Sequence, residues 1–160
     1  MDFLPYNDVK RDDDKNEVYN LFTGYNSNIK SFTFEEKKMK HIIRPFIDVV
    51  RELCEGDNKC LDFLLRNIAQ IVQQPMKKLP FAFVFRGKQG TGKSFFIKAL
   101  SNLLGSNNVF SSSKASDFLG KHATGFTNRL LLNINEASGK DTFNFEGTIK
   151  SLISEDFCMV

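Results

Sequence analysis

The chain has few of the features that mark membrane, secreted or metal-binding proteins. Its 160 residues contain no apolar run close to the roughly 18 residues of a membrane span. The N-terminal segment lacks the basic and then apolar layout of a signal peptide. The three cysteines, Cys54, Cys60 and Cys158, have no C-x-x-C spacing, and the two histidines form no cluster with them. We therefore expect an intracellular protein without a membrane segment, a disulfide framework or a zinc site.

Tryptophan is absent and the net charge is small. A formal net charge of +3 at pH 7 is too small to identify a nucleic-acid-binding protein, and it does not exclude one. The 17 phenylalanines, with abundant Lys, Asn and Ile, form a bias that AT-rich coding produces in viral, organellar or parasite genomes. Hydrophobic residues make up 41% and charged residues 26%, as in globular proteins. The length suits one domain, or a small helical unit with part of a larger domain.

The most informative stretch is an apolar run followed by a glycine-rich loop and a helix. Residues 81–85 are aromatic and aliphatic, which is typical of a buried parallel strand. The pattern G-x-x-x-x-G-K-[ST] then fills residues 87–94, and the apolar helical pattern after it ends at Gly105, a predicted C-cap. A glycine-rich turn could match the pattern by chance. The order strand, loop and helix instead favours a phosphate-binding loop.

Each part of this loop has a predicted role in holding ATP. Glycines let successive backbone N–H groups approach an anion that a Cβ would obstruct, and the N-terminus of the helix adds its dipole. Lys93 is expected to contact the β- and γ-phosphates, and the Ser94 hydroxyl to ligate Mg²⁺. The predicted nucleotide-binding residues are Gly87, Lys88, Gln89, Gly90, Thr91, Gly92, Lys93 and Ser94.

A second apolar run ends in a carboxylate. Residues 129–136 are predicted to form another buried strand that leads to Glu136. In phosphate-loop enzymes such a strand lies near the first and places an acid beside the γ-phosphate, where it orients or deprotonates water. We therefore predict Lys93 and Glu136 as catalytic residues, and Ser94 and Glu136 as the residues that hold Mg²⁺. His122, in a segment bounded by glycines, fits a surface residue better than a catalytic one.

Two amphipathic helices are predicted before the loop. The first follows Thr33, a candidate N-cap, and Pro45 is expected to break or kink it near Arg44. Residues 55–58 end it, and the second helix runs up to Pro75. This helical hairpin is either a platform or oligomerisation unit, or it simply packs on the domain that follows. The predicted organisation is an extended polar arm at residues 1–30, a helical region at 31–78 and a nucleotide-binding core at 79–160.

Shorter elements are predicted after the loop helix. We expect a turn at residues 107–108, a short strand at 109–110, a serine loop at 111–113 and one helical turn at 116–119. A further helical pattern occupies residues 145–153.

Three of these segments together resemble a known family. The sequences GKQGTGKS at residues 87–94, LLLNINEASGKDT at 130–142 and IKSLISED at 149–156 resemble the superfamily 3 helicase-type ATPase of viral, virophage and phage primase-helicases. The earlier VYNLFTGYN and the helical pair ending near VQQP also resemble what precedes that ATPase. The similarity covers most of the chain and is more specific than the phosphate loop alone.

The resemblance implies an α/β P-loop NTPase of the AAA+ type, with a parallel sheet, flanking helices and a small helical region before it. Such proteins form homo-hexameric rings that use ATP and Mg²⁺ to translocate on DNA during genome replication. A viral member would work on single-stranded DNA in the host cytoplasm or nucleus. By position, Lys93 corresponds to the phosphate-binding lysine, Ser94 to the Mg²⁺ ligand and Glu136 to the acid of the second strand.

The chain departs from the family pattern in two places. Many relatives have two adjacent acids where this chain has Asn135 before Glu136. The sensor asparagine, the DNA-gripping hairpin and the arginine finger would be expected after Ile153, and the sensor strand would lie between the two predicted strands. We therefore expect a C-terminally incomplete ATPase core with low activity and no unwinding activity alone.

Two other functions remain open at this point. A nucleotide-binding regulatory or assembly module would bind ATP without turnover. A small nucleotide or metabolite kinase would need an arginine-bearing lid, and no arginine follows Arg129.

Overall fold

The described part of the chain is a mixed α/β arrangement of helices and a small parallel sheet. The computed structural model describes residues 22, 24–26, 36–118, 128–135 and 142–154. Short 3-10 helices lie at Ser106–Asn108 and Ala115–Phe118. The predicted α/β class is confirmed. In order, the main elements are α1 (Glu36–Leu53), α2 (Asn58–Gln73), α3 (Lys93–Leu104), β1 (Val109–Ser112), β2 (Leu131–Ile134) and α4 (Thr142–Ser154).

Helix α1 continues through Pro45, so the helix does not break near Arg44. A proline has no backbone N–H, and the carbonyl of His41, four residues earlier, therefore lacks its helical partner. Both His41 and Pro45 are exposed, which allows water to hydrate that carbonyl. The predicted N-cap Thr33 lies outside the described residues.

Local backbone hydrogen bonds build the turn between α1 and α2. The Gly56 N–H donates to the Arg51 carbonyl at 3.0 Å, and its φ of 78° is a left-handed conformation that suits glycine at a helix end. The Asp57 carboxylate then caps α2 by accepting from the N–H groups of Lys59 and Cys60 at 2.7 and 3.3 Å. The predicted helical hairpin is confirmed.

The hairpin packs on α3 through one apolar core. Val50 and Cys54 of the α1 side meet Leu61 and Leu64 of α2 and the buried side of α3. Full burial of a leucine or phenylalanine side chain stabilises a fold by about 1.5 to 3 kcal/mol. The interpretation that the hairpin packs on the segment that follows it is therefore confirmed. The buried members of this core are Val50, Cys54, Leu61, Leu64, Phe96 and Leu100.

Residues 22 and 24–26 dock across the ends of two helices. Phe22 is buried and its ring meets that of Tyr25 edge-on. The Tyr25 hydroxyl donates to the Val72 carbonyl at the end of α2 at 2.8 Å, and the Asn26 amide donates to the Asn102 carbonyl in the last turn of α3 at 2.7 Å. This part of the predicted N-terminal arm thus closes the ends of α2 and α3. The other residues of the arm lie outside the described part.

Strands β1 and β2 are parallel and form a two-stranded sheet. The register places Val109 beside Leu131 and Ser112 beside Ile134. Strand β1 is longer than predicted, because Ser111 and Ser112, which were expected to lie in a loop, belong to it. A separate small core forms beneath the sheet around Phe118, with partly buried Phe110, Leu132, Ile134, Ile149 and Leu152.

Residues 81–85 are not a buried parallel strand, and that prediction is wrong. No strand is assigned to them, and their backbone makes no hydrogen bond within the described part of the chain. Val84 is 81% exposed. Strand formation needs a neighbouring strand, and none of the described strands pairs with this segment. The composition of the segment does not indicate whether such a partner strand is present.

The remaining helix, α4, contains the predicted helical residues 145–153 and begins earlier, at Thr142. Ile149 and Leu152 of this helix pack around Phe118. Among the described helices, none combines the length and the apolar character needed to cross a membrane.

Candidate functional site

The predicted phosphate-binding loop lies between the unpaired apolar segment and α3. Its backbone turns through left-handed conformations at Gly90 (φ 88°) and Gly92 (φ 90°). L-residues with a Cβ adopt such angles at a cost of roughly 1 to 2 kcal/mol. The glycines are therefore required by the path of the chain at these two positions. Gly92 is also the N-cap of α3.

The Lys93 ammonium group lies inside the loop and is held by three oxygen atoms. Its Nζ atom donates to the carbonyls of Gly87 and Lys88, at 2.9 and 2.8 Å, and to the Thr91 hydroxyl at 3.0 Å. The Thr91 hydroxyl in turn donates to the Lys88 carbonyl at 3.1 Å. A lysine ammonium has three donors, so this arrangement uses all of them. The loop thus encloses a fixed positive charge.

Helix α1 supports the loop from behind. A Cβ placed on Gly92 would lie 2.7 Å from the Val49 Cγ1 atom, closer than two carbon atoms can pack. Val49 is the neighbour of Val50, which belongs to the main core. The position of the loop is therefore tied to the packing of α1 on α3.

Ser94 is exposed at the start of α3, one residue after the enclosed lysine. The N–H groups of the first helical turn have no acceptor within the helix. With the dipole of α3, they create a site that favours an anion. In the described part of the chain, no group of three or more His, Cys, Asp or Glu side chains could hold a metal ion. Ser94 would thus need oxygen atoms of a bound phosphate or water to complete an Mg²⁺ shell.

Glu136, the predicted catalytic acid, lies outside the described residues, as does His122. Strand β2 ends at Ile134, and the Asn135 N–H then donates to the Ser112 carbonyl at 2.9 Å.

An acid that the sequence reasoning did not single out lies at the end of β1. The Asp117 carboxylate accepts a hydrogen bond from the Ser112 hydroxyl at 2.5 Å. The same hydroxyl accepts from the Lys114 N–H at 3.1 Å. Asp117 lies in the 3-10 helix that follows the strand. The spacing of apolar residues in the sequence gives no indication that its carboxylate pairs with Ser112. The carboxyl edge of the sheet thus has one described acid, already engaged by a serine.

The stretch of sequence that contains the loop has charges of one sign only, although the net charge of the whole chain is small. Between Asp62 and Asp117 the chain has no acidic residue. A surface of one sign attracts ligands of the opposite sign. The basic residues of that stretch are Arg66, Lys77, Lys78, Arg86, Lys88, Lys93, Lys98 and Lys114.

An open groove along α1 is separate from the loop. It is lined by residues including Arg44, Ile47 and Arg51. Asp48 lies in the same groove and forms ion pairs with Arg44 and Arg51, at 3.7 and 3.0 Å. Exposed pairs of this kind contribute about 0 to 1 kcal/mol. The residues that line this groove all lie on α1 and none belongs to residues 87–94, so the groove is not part of the candidate site.

Two of the cysteines lie at the turn between α1 and α2. Cys54 is buried and Cys60 is exposed. Burial, together with a hydrogen bond to Cys60, raises the pKa of the Cys54 thiol to about 11. A thiol with so high a pKa is a poor nucleophile at neutral pH.

The comparison with known families covers the loop and everything after it. No curated protein and no solved structure matches this chain. Residues 85–160, a little under half of the chain, match the model of a family of unknown function, DUF5906.

Proposed function

We propose that residues 87–94 bind the phosphates of ATP, and that this chain carries the nucleotide-binding part of a superfamily 3 helicase-type ATPase. The observation that supports this most is the position of the Lys93 ammonium group, held at the centre of the loop by the Gly87 and Lys88 carbonyls. A charge held there at the start of a helix is suited to an anion with several oxygen atoms.

The loop offers three kinds of contact to a polyphosphate. Backbone N–H groups at the start of α3 donate to phosphate oxygens, and Lys93 exchanges its loop acceptors for them. The exposed Ser94 hydroxyl is free to face a cation that travels with the nucleotide. Bound Mg²⁺ would neutralise charge on the β- and γ-phosphates. Glu136 would orient or deprotonate the attacking water, as proposed for the acid that follows β2.

In its more specific form, the proposal is a P-loop NTPase of the AAA+ type that assembles as a homo-hexamer and moves on single-stranded DNA inside the cell. It rests on the family resemblance of residues 87–94, 130–142 and 149–156. The parallel pairing of β1 with β2 and the helix between the loop and β1 are compatible with it. The acid-free basic stretch around the loop would also favour polyanionic partners.

Isothermal titration calorimetry with Mg-ATP tests the nucleotide assignment. Lys93→Ala should weaken ATP binding by about 1.5 to 3 kcal/mol, because it removes hydrogen bonds from a charged donor. Lys98→Ala is the matched control, since it removes an exposed lysine one turn along α3 and should leave affinity nearly unchanged. Equal affinity of the Lys93→Ala variant and the parent chain would overturn the proposal.

A second candidate is a nucleotide-binding regulatory or assembly module without turnover. Asn135 supports it, because only one acid, Glu136, follows β2 where many relatives of the resembled family have two. Release of phosphate in single-turnover mixtures of the chain with Mg-ATP separates the two functions. Binding without detectable phosphate release would select this second candidate.

A further inference from the structure

The turn between α1 and α2 brings two cysteine thiols into contact. Cys54 follows the last residue of α1, and Cys60 lies in the first turn of α2. The Cys54 thiol is hydrogen-bonded to Cys60. Left-handed conformations at Glu55 (φ 51°) and Gly56 (φ 78°) reverse the chain between them. A disulfide needs its sulfur atoms about 2 Å apart, and thiols that already touch reach this distance by a small movement.

Backbone hydrogen bonds hold the two cysteines in this arrangement. The Cys54 N–H donates to the Val50 carbonyl at 3.2 Å, and the Asp57 N–H donates to the Cys54 carbonyl at 2.9 Å. The Cys60 N–H donates to the Asp57 carboxylate at 3.3 Å. Asp57 is thus bonded to both cysteines. Because the turn is already ordered, each thiol meets the other at a high effective concentration.

The two thiols differ in their access to solvent. Cys54 is 6% exposed and belongs to the main core, whereas Cys60 is exposed. A reagent in solution therefore reaches Cys60 first. Burial, the contact with Cys60 and the charge of Asp57 raise the pKa of the Cys54 thiol to about 11, so Cys54 keeps its proton in the reduced chain. Cys60 is thus placed to attack a reagent, and Cys54 to complete a disulfide with it.

We propose that Cys54 and Cys60 are a reversible redox pair, which a low-molecular-weight disulfide such as oxidised glutathione converts to a disulfide that locks the turn between α1 and α2. A disulfide of this kind responds to redox conditions and is not part of a structural framework. The pair shares no residue with the phosphate loop, and its reaction requires no nucleotide.

The disulfide forms by two thiol–disulfide exchanges. The Cys60 thiolate attacks one sulfur of oxidised glutathione, so that a bond forms between Cys60 and that sulfur, the disulfide bond of the reagent breaks, and the first glutathione thiolate leaves with the proton that Cys60 released. The Cys54 sulfur then attacks the Cys60 sulfur, and the second glutathione leaves with the proton of Cys54. The two cysteines lose two electrons in total, and one oxidised glutathione becomes two reduced molecules.

The first test is made on the folded chain in buffers with increasing ratios of oxidised to reduced glutathione. Peptide mapping by mass spectrometry should find a link between Cys54 and Cys60 within one chain, and dithiothreitol should reverse it. A chain without this link when oxidised glutathione is in excess would overturn the proposal. A link from either cysteine to Cys158, or between the Cys60 residues of two chains, would overturn it as well.

The second test measures the lock itself by thermal unfolding. A cross-link over a short loop lowers the entropy of the unfolded chain, so the oxidised chain should unfold about 5 to 9 °C above the reduced chain. The control is Cys158→Ser, which retains both cysteines of the turn and should show the same link and the same shift. An unfolding temperature that is unchanged or lower after oxidation would show that the disulfide does not lock the turn.

Single variants separate the roles of the two thiols. Cys54→Ala should accumulate a mixed disulfide of Cys60 with glutathione, because no second thiol displaces it. Cys60→Ala should leave Cys54 unmodified, because Cys54 is buried. If Cys54 in that variant reacts as fast as Cys60 does in the parent, the assignment of Cys60 as the attacking thiol is wrong. If Cys54→Ala fails to fold, the peptide map of the parent chain still decides.

Discussion

Val49 occupies the space that a side chain on Gly92 would need. The Val49 Cγ1 atom lies 2.7 Å from the position of a Cβ on Gly92, whose φ of 90° is also unfavourable for other residues. The helical hairpin and the phosphate loop are thus in direct contact. A substitution at either residue should therefore alter the packing of the other.

Gly92→Ala is predicted to destabilise the chain by about 2 to 5 kcal/mol, the sum of left-handed strain and overpacking. Adding Val49→Ala to the Gly92→Ala variant should recover the stability lost to overpacking, and the stability lost to backbone strain should remain lost. Denaturant unfolding of the two single variants and the double variant measures this coupling. Gly147→Ala on α4 is the control, because it has open space and ordinary helical angles, and it should be neutral or stabilising. Additive effects of the first two changes would contradict the predicted contact.

Glu136→Gln is predicted to keep Mg-ATP affinity and to slow phosphate release by at least about 10²-fold, because the amide cannot accept a proton from water. The control is Glu146→Gln on α4, which removes an exposed carboxylate that is paired with Lys150 at 2.7 Å. Single-turnover hydrolysis compares the two variants. Unchanged hydrolysis in Glu136→Gln would assign the role of base to another group.

Asn108→Leu is predicted to destabilise the fold by about 1 to 3 kcal/mol, the cost of leaving buried acceptors unsatisfied. Asn108 is 1% exposed, and its amide donates to the carbonyls of Leu104 and Gly24 at 2.8 and 2.9 Å. Thermal unfolding compares it with Asn107→Leu at the neighbouring exposed position. Equal unfolding temperatures for the two variants would show that the buried amide contributes nothing.

The Cys54 thiol is predicted to make stability fall at high pH. Its pKa is about 11 in the folded chain and 9.0 without the surroundings, so the unfolded chain loses this proton first as pH rises. The contribution of the protonated Cys54 thiol to the free energy of unfolding is complete below pH 9 and is lost as pH rises through 11. Unfolding temperatures between pH 8 and 11 should therefore fall more steeply for the parent than for Cys54→Val. Parallel curves would show that burial does not hold this proton.

The phosphate loop and the helices could be predicted from the sequence because their signals are local. The glycines, Lys93 and the cap at Gly105 lie within one short stretch, and α2 was evident from its apolar spacing. The prediction of a strand at residues 81–85 is wrong because strand formation does not depend on local signals alone. Pairing depends on a partner distant in sequence, and an apolar pentapeptide carries no information about whether one is present.

Other features required the three-dimensional structure. The polar composition of Ser111 and Ser112 favoured a loop, yet both residues pair with β2. Pro45 favours a break or a kink in α1, but the helix continues through this exposed position without a break. No periodicity could indicate that Lys93 would be held by the carbonyls of its own loop, or that Val49 would pack on Gly92. These are contacts of particular atoms rather than properties of a pattern.

The docking of residues 22 and 24–26 has a consequence for the order of folding. The hydrogen bond between Asn108 and Gly24 spans 84 residues, and that between Tyr25 and Val72 spans 47. Closing an 84-residue loop costs about 4 kcal/mol of chain entropy beyond a constant. The helical pairs, by contrast, meet after short turns and can form first. We infer that residues 22 and 24–26 are added last as the chain folds and released first as it unfolds, so their contacts govern how long the folded state persists rather than how quickly it is reached.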